Sequence, residues 1–347
     1  MDYFDPAFRI TSPIDDSLIT TIRSKIRAWI TSNWLADLVT LFDGRISLQG
    51  HPLDAALERL EIFSDRWDFR RIARERGAAA DDNLRQGAGA ARWLSAATEL
   101  PPEMEVRVLN NAKHLGLVQA QEPSQSAYDH IVVLGGARLS CKLRPFRAAE
   151  VIRAGVQVEK IVLLGAARPI PDSERDATDT YAPGAANEFD LIIAGAQQAF
   201  DFDTSVFRED RYDDRDNHNL SWIVRRFEAS YDSHPLKITA MSAPSSDPLR
   251  RRANSADTII FFLDRDNVQP GERILLITSQ IYVPYVQLEA IRTVALPKKM
   301  LVETIGFPGD RMPQLQGLSN ANHYLQEIRS AIQAARRFCI AYPEQTP

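Results

Sequence analysis

The run His130-Ile-Val-Val-Leu-Gly-Gly136 is apolar without interruption from Ile131 until it ends in a glycine pair. Comparable β-branched and leucine-rich runs recur at 160–165, 236–241, 273–279 and 300–305. A strand that is apolar on both faces is typical of a parallel sheet with helices on both sides. These runs therefore predict the strands of such a sheet.

Segments with helical patterning separate the runs. They predict helices at about 145–155, 187–200, 219–229, 252–265, 283–294 and 319–338. Repeated alternation of strand and helix predicts an α/β fold with a doubly wound, mainly parallel, Rossmann-like sheet. Residues 201–219 are rich in aspartate and predict a solvated insertion; they lack the glycine and final glutamate of a calcium loop, so no metal site is assigned.

The first third of the chain has a different pattern. Amphipathic stretches at 17–42, 52–75, 82–98 and 103–120 predict helices, and no alternating strand pattern precedes residue 123. The sequence therefore predicts an all-helical region at 1–122 and an α/β ligand-binding domain at 123–347.

Composition limits the classes of partner. The 46 acidic and 41 basic residues give a net charge of −5, so no global positive field favours a nucleic acid polymer or an anionic membrane. The two cysteines, Cys141 and Cys339, have neither zinc-site nor disulfide-framework spacing. The acidic first residues lack the features of a signal peptide, and no apolar run is long enough to span a membrane. We expect a cytoplasmic protein.

Ligands of open α/β sheets bind beyond the carboxyl ends of the strands. The first run is followed by Gly135, Gly136 and Arg138, and then by Arg144 and Arg147, which stand where a helix is expected to begin. Glycines let a ligand approach backbone N–H groups, and arginines bind phosphate or carboxylate. The alternative is an ordinary glycine turn with surface arginines.

The second strand is followed by Arg168, for which an ordinary turn is the alternative. Glu188 begins the next helix, and two roles stay open for it: helix capping and acid/base catalysis. A third cluster follows the next run and offers Ser245, Arg252, Asn254 and Thr258; its alternative is a helix cap with a basic turn.

The fourth strand end adds hydroxyl groups and an aromatic ring. Thr278 and Ser279 suit hydrogen bonding to an anion, and Tyr282 suits stacking on a base or ring; packing at the edge of the core is the alternative. None of the common nucleotide-loop, nucleophile-elbow or zinc-protease motifs occurs. The catalytic assignment rests on Glu188 alone.

The order of these motifs resembles the YdcF- and SanA-like proteins, a bacterial family with a Rossmann-like fold. The resemblance spans about residues 129–310 and rests on Leu134-Gly135-Gly136, Arg147-Ala148, Leu164-Gly165, Glu188, Arg252 to Thr258 and Thr278-Ser279. The family's histidine after Thr-Ser is replaced around Tyr282, and its following arginine is missing. The resemblance implies envelope biology and, from one branch, S-adenosylmethionine as a ligand.

Three hypotheses follow. The first is an enzyme, or enzyme-like protein, that acts on a phosphorylated or nucleotide-like small molecule, with Glu188 as acid/base. The second is a non-catalytic sensor of S-adenosylmethionine or a nucleotide. The third is a homodimer formed through the helical region, with Trp29 and Trp34 as anchors.

Overall fold

The computed structural model describes residues 16–46, 48, 50–68, 100–231, 234–308 and 320–344. Seven strands form one sheet in the order β3-β4-β5-β2-β1-β6-β7. Their bounds are β1 (Ala127–Leu134), β2 (Gln157–Leu164), β3 (Arg208–Tyr212), β4 (Trp222–Tyr231), β5 (His234–Ser242), β6 (Arg273–Ser279) and β7 (Leu301–Phe307). Strands β5, β2, β1, β6 and β7 are mutually parallel, which confirms the mainly parallel α/β sheet.

The helices are numbered along the chain. Their bounds are α1 (Asp16–Ile30), α2 (Asn33–Leu41), α3 (Leu53–Ser64), α4 (Pro102–His114), α5 (Arg138–Arg153), α6 (Asp172–Asp179), α7 (Glu188–Phe200), α8 (Ser255–Arg265), α9 (Val283–Ala290) and α10 (Ala321–Ala341). Helix α9 continues through a π-helical turn, Ile291–Ala295, and the short turn Leu296–Lys298. The predicted helix at 82–98 lies outside the described residues.

Helices cover both faces of the sheet. Alternate residues of β1 point in opposite directions: Ile131 and Val133 join a core with α5 and α7, and Val132 and Leu134 join a core with α8 and α9. Burial on both faces explains the uninterrupted apolar runs.

The predicted helix at 219–229 is wrong, because these residues form β4, which runs antiparallel to β3 and β5. Val224 and Phe227 have helix-like spacing, yet in the strand they enter the two opposite cores. The predicted insertion at 201–219 contains β3, an exposed edge strand whose Glu209 and Asp210 form ion pairs with Arg225 and Arg226 of β4. Among the described residues, no cluster of three metal-ligating side chains occurs.

Helix α5 begins at Arg138, seven residues before the predicted start, and Pro145 lies inside it. Pro145 has no N–H to donate to the carbonyl of Cys141. That carbonyl lies against Gly195 of α7, where a β-carbon would overlap its oxygen. Pro145 and Gly195 thus let α5 and α7 pack closely on one face of the sheet.

Helix α10 connects the helical region to the sheet. It packs against α3, α4 and α9, and one apolar core spans all of them and one sheet face. Trp29 is fully buried in this core and donates to the Leu115 carbonyl at 3.3 Å, so it is not a dimer anchor. Trp34 is 37% exposed and stacks on His114. No described helix is both long and apolar enough to cross a bilayer. The boundary at 122/123 stays a prediction.

Candidate functional site

The carboxyl ends of three neighbouring strands meet through their glycine turns. Gly135 after β1 donates its N–H to the Leu164 carbonyl at the end of β2, at 2.6 Å. Gly165 after β2 donates to the Met241 carbonyl of β5, at 3.0 Å. The segments that follow β1, β2 and β5 therefore share one edge of the sheet.

Close packing explains the first glycine of the turn. A β-carbon on Gly135 would lie 2.5 Å from the carbonyl oxygen of Leu164. At Gly136 the nearest atom would be the Ser140 β-carbon, at 3.0 Å. Gly135 is thus required by the approach of β1 to β2, whereas Gly136 faces the first turn of α5.

Arg144 joins the ends of β1 and β6. Its Nη1 donates to the carbonyls of Leu134, at 2.6 Å, and of Gly135; Nε and Nη2 each donate to Ser279 Oγ at 3.2 Å. Strands β1 and β6 are the neighbours at which the chain changes direction across the sheet. Arg144 therefore holds together the point at which ligands of α/β sheets commonly bind.

Arg168 and Glu188 form an ion pair between the turn after β2 and the start of α7. The backbone returns the contact, because the Glu188 N–H donates to the Arg168 carbonyl at 3.0 Å. Their side chains are only 18% and 10% exposed. The Nε atom of Arg168 is buried and, within the described part of the chain, has no hydrogen-bond partner.

Arg252 approaches this pair from the segment after β5. Partial burial lowers the pKa of its guanidinium group, the charge of Arg168 lowers it further, and Glu188 opposes the effect. The direction of the shift means that one carboxylate does not fully offset burial and the second guanidinium. Sequence positions 168, 188 and 252 are therefore brought together by the fold.

The first turn of helix α5 follows Gly136 and lies at the same edge of the sheet. No side chain caps the N-terminus of this helix, which is also true of α3, α4, α6 and α9, whereas Asn187, Asn254 and Asn320 cap α7, α8 and α10. Cys141 in that turn donates to the Gly136 carbonyl at 3.1 Å. Burial raises the pKa of the Cys141 thiol to about 12; the charge of Glu188 adds to the rise, and Arg144 and Arg168 oppose it.

Arg138, the first residue of α5, is a further charged residue at this edge of the sheet. Its Nε lies 3.9 Å from Glu174 of α6; that nitrogen is buried and has no hydrogen-bond partner among the residues described. Tyr181 donates to the Arg138 carbonyl at 3.1 Å, which ties the segment 169–187 to α5. We refer to the six charged side chains at this edge as the rim cluster: Arg138, Arg144, Arg168, Glu174, Glu188 and Arg252.

Three other predicted site residues, Ser245, Asn254 and Thr258, form hydrogen bonds within the segment that leads into α8. Asn254 accepts from the Asp257 N–H and forms a capping box with it. Thr258 donates to the Ser255 carbonyl at 3.0 Å, and Ser245 accepts from the Asp247 N–H at 3.1 Å. Each of these side chains thus already serves a turn or a helix start. Ligand binding by the three residues stays a prediction.

The remaining predicted residues divide between two places. Thr278 is buried in β6; Ser279 accepts from Arg144, and the Tyr282 ring centre lies 5.9 Å from the Arg144 guanidinium. Arg147 lies elsewhere: it forms an ion pair with Glu122 at 3.0 Å and donates to the Gln121 carbonyl, both in the linker before β1. The structure does not bring Arg147 into the rim cluster.

Glu174 and Tyr181 were missed by sequence reasoning. Both belong to the segment between β2 and α7, whose only local pattern is the acidic helix α6. No motif distinguishes these residues from an exposed loop. The structure also contains a cavity of about 640 Å³ in the helical region, lined by α1, α2 and the following loop, including Thr31, Val39 and Arg45. It contains none of the predicted site residues.

Comparison with known proteins places the chain among mycobacterial relatives. A family model described as the Rv3785 N-terminal domain matches residues 15–116. The uncharacterized proteins Rv3785 of Mycobacterium tuberculosis (strain ATCC 25618 / H37Rv) and Mb3814 of Mycobacterium bovis are each 38% identical over 336 residues, covering 95% of this chain and 93% of theirs. No solved structure matches the chain.

These matches correct the resemblance to YdcF- and SanA-like proteins, which is wrong. The motifs that suggested it are short. Glycines follow the strands of many α/β sheets because tight turns need them, and arginines are common on the surface nearby. Envelope biology and S-adenosylmethionine were implied by that resemblance alone, and they lose their basis with it. The chain belongs to the family of the mycobacterial protein Rv3785.

Proposed function

We propose that this protein binds a small anionic molecule, such as a phosphorylated or nucleotide-like metabolite, at the rim cluster. The anion lies against the first turn of α5 and is held by Arg168 and Arg252. The observation that carries the proposal is the buried Nε of Arg168, which has no partner among the described residues. A buried donor without a partner costs roughly 1–3 kcal/mol, and an oxyanion that reached it after a small movement of the guanidinium would remove that cost.

Charge and helix geometry support the same conclusion. The rim cluster contains four guanidinium groups and two carboxylates, so it carries an excess of positive charge. The N-terminus of α5 has no side-chain cap, and uncapped backbone N–H groups at a helix start attract anions. Charge-assisted hydrogen bonds from arginine are the contacts that a phosphate group prefers.

A binding role is favoured over catalysis by the contacts of Glu188. Its carboxylate pairs with Arg168, and its N–H holds the Arg168 carbonyl, so the residue positions the arginine. The nearest thiol, Cys141, is fully buried and its pKa is raised to about 12, which keeps it protonated near neutral pH. Acid/base catalysis by Glu188, the cytoplasmic location and a homodimer stay predictions.

Titration calorimetry of the full chain with inorganic phosphate at low salt tests the proposal. We expect saturable binding that weakens about tenfold or more in Arg252→Gln, because a charged hydrogen bond contributes roughly 1.5–3 kcal/mol. Arg250→Gln is the matched control, since Arg250 is an arginine of the same loop that is exposed like Arg252 but does not belong to the rim cluster. Absence of saturable heat, or equal losses in both variants, would contradict the proposal.

A further inference from the structure

The edge of the sheet beside Arg252 carries exposed apolar side chains. Strand β3 runs parallel to β5, because each is antiparallel to β4, so Tyr212 at its end lies at the same edge as Ser242. Tyr212 is 49% exposed, Leu220 is 36% exposed and Leu249 is 91% exposed. These three residues form what we call the apolar patch.

Hydrogen bonds fix the two loops of the patch to each other. The Ser245 N–H donates to the Asn219 carbonyl at 2.7 Å, and Asn219 Nδ2 donates to the Pro248 carbonyl at 2.8 Å. Leu220 and Leu249 directly follow those two residues. Isolated exposed apolar side chains are common on protein surfaces, but here Leu220 and Leu249 lie on two joined loops, and Tyr212 pairs with Trp222, two residues after Leu220.

The patch and the proposed anion site share the loop that connects β5 to α8. Leu249 and Arg252 stand three residues apart on the loop that connects β5 to α8. A molecule whose anionic group is held by Arg168 and Arg252 can extend an apolar chain along this loop. We infer that the ligand is an amphiphile, an anionic head group with an apolar chain that covers Leu249 and its neighbours; this inference rests on the proposed function.

The charges around the patch favour a single amphiphilic molecule over a bilayer surface. Asp213 and Asp216 are exposed on the same loop as Leu220, as is Arg215, and the exposed Arg250 follows Leu249. An anionic membrane attracts clusters of basic residues, and these interspersed carboxylates weaken that attraction, whereas a single molecule needs to touch only the arginines and the apolar side chains.

Alkyl phosphates test the inference, because the head group stays constant while the chain grows. We expect hexyl phosphate to bind the full chain at least about tenfold more tightly than methyl phosphate, since each buried methylene strengthens binding by up to about fourfold. Leu249→Ser should reduce that ratio several-fold and leave the affinity for inorganic phosphate unchanged. Ile62→Ser, which alters a 67% exposed side chain of α3, is the control and should change neither quantity.

The outcomes separate this inference from the proposed function. Equal binding of all alkyl phosphates, or a chain-length effect that Leu249→Ser leaves intact, would overturn the inference while phosphate binding stands. Failure of inorganic phosphate and of every alkyl phosphate to bind would overturn both. Sedimentation of the chain with phosphatidic acid vesicles, if lost in Arg252→Gln, would contradict the single-molecule ligand; we expect no sedimentation.

Discussion

Arg168 and Glu188, twenty residues apart, hold each other twice: the guanidinium donates to the carboxylate, and the Glu188 N–H donates to the Arg168 carbonyl at 3.0 Å. The backbone bond fixes where the two side chains begin, and the ion pair fixes where they end. The Nε of the same guanidinium is buried and has no hydrogen-bond partner among the described residues. In the proposed function, Glu188 therefore both positions Arg168 and competes with the ligand for it.

Glu188→Gln should separate these two effects. Loss of the partly buried ion pair is expected to lower the free energy of unfolding by about 1–3 kcal/mol, measured by urea denaturation. Loss of the competing negative charge is expected to increase phosphate affinity several-fold, measured by calorimetry. Glu174→Gln is the control carboxylate of the rim cluster, because it lies 3.9 Å from Arg138 instead of contacting Arg168. Weaker phosphate binding in Glu188→Gln alone would contradict the competition and show that the main effect of Glu188 is to position Arg168.

Arg144→Ala should be among the most destabilising single changes at the rim. It removes donors from the Leu134 and Gly135 carbonyls and from Ser279, all at the ends of neighbouring strands. We expect a loss of about 3–5 kcal/mol in chemical denaturation, because several buried polar groups lose their partner together. Ser279→Ala removes one acceptor only and should cost about 1 kcal/mol. Comparable losses in both variants would exclude the joining role of Arg144.

The two glycines after β1 should respond differently to a methyl group. Gly135→Ala places a β-carbon 2.5 Å from a backbone oxygen that the sheet holds in place, so a cost of about 1–3 kcal/mol is expected. Gly136→Ala meets the Ser140 side chain at 3.0 Å, which moves more easily, and should cost less. Thermal unfolding of the two variants measures the difference. The reverse order would mean that Gly136, and not Gly135, makes the critical close approach.

Alkaline pH should destabilise the fold through its buried thiols. Burial raises the pKa of Cys141 and of Cys339 to about 12, above the roughly 8.5 of a free cysteine. Between those values the unfolded chain releases protons that the folded chain retains, so stability is full below about pH 8.5 and falls as the pH rises toward 12. Urea denaturation from pH 8 to 11 should show this decline, with a shallower slope in Cys141→Ala. An unchanged slope would exclude Cys141 as a contributor.

The continuous apolar runs predicted the central strands correctly because both faces of these strands are buried. Residues 131–134 are buried on both faces, so their apolar run is continuous and the strand type follows from it. Strand β4 was not predicted, because Val224 and Phe227 serve opposite cores and their spacing imitates a helix. Only the pairing of β4 with β5, which is a tertiary contact, distinguishes the two structures.

The rim was predicted in position but not in the role of each residue. Chain order places Arg168, Glu188 and Arg252 after strands, and the fold brings them together. The sequence contains nothing that assigns Arg144 to carbonyl groups or Arg147 to the linker, because the helix that carries them starts at Arg138 instead of near Pro145. A shift of a helix start rotates every later side chain, so the direction of each arginine depends on the three-dimensional structure.

An anion site at the rim cluster is tested most directly by following the arginine Nε–H resonances with nuclear magnetic resonance while inorganic phosphate is added to the full chain. We expect the resonances of Arg168 and Arg252 to shift together and to saturate at the same phosphate concentration, whereas that of Arg250 stays in place. Linear drift of all arginine resonances, or no change at Arg168, would contradict an anion site at the rim cluster.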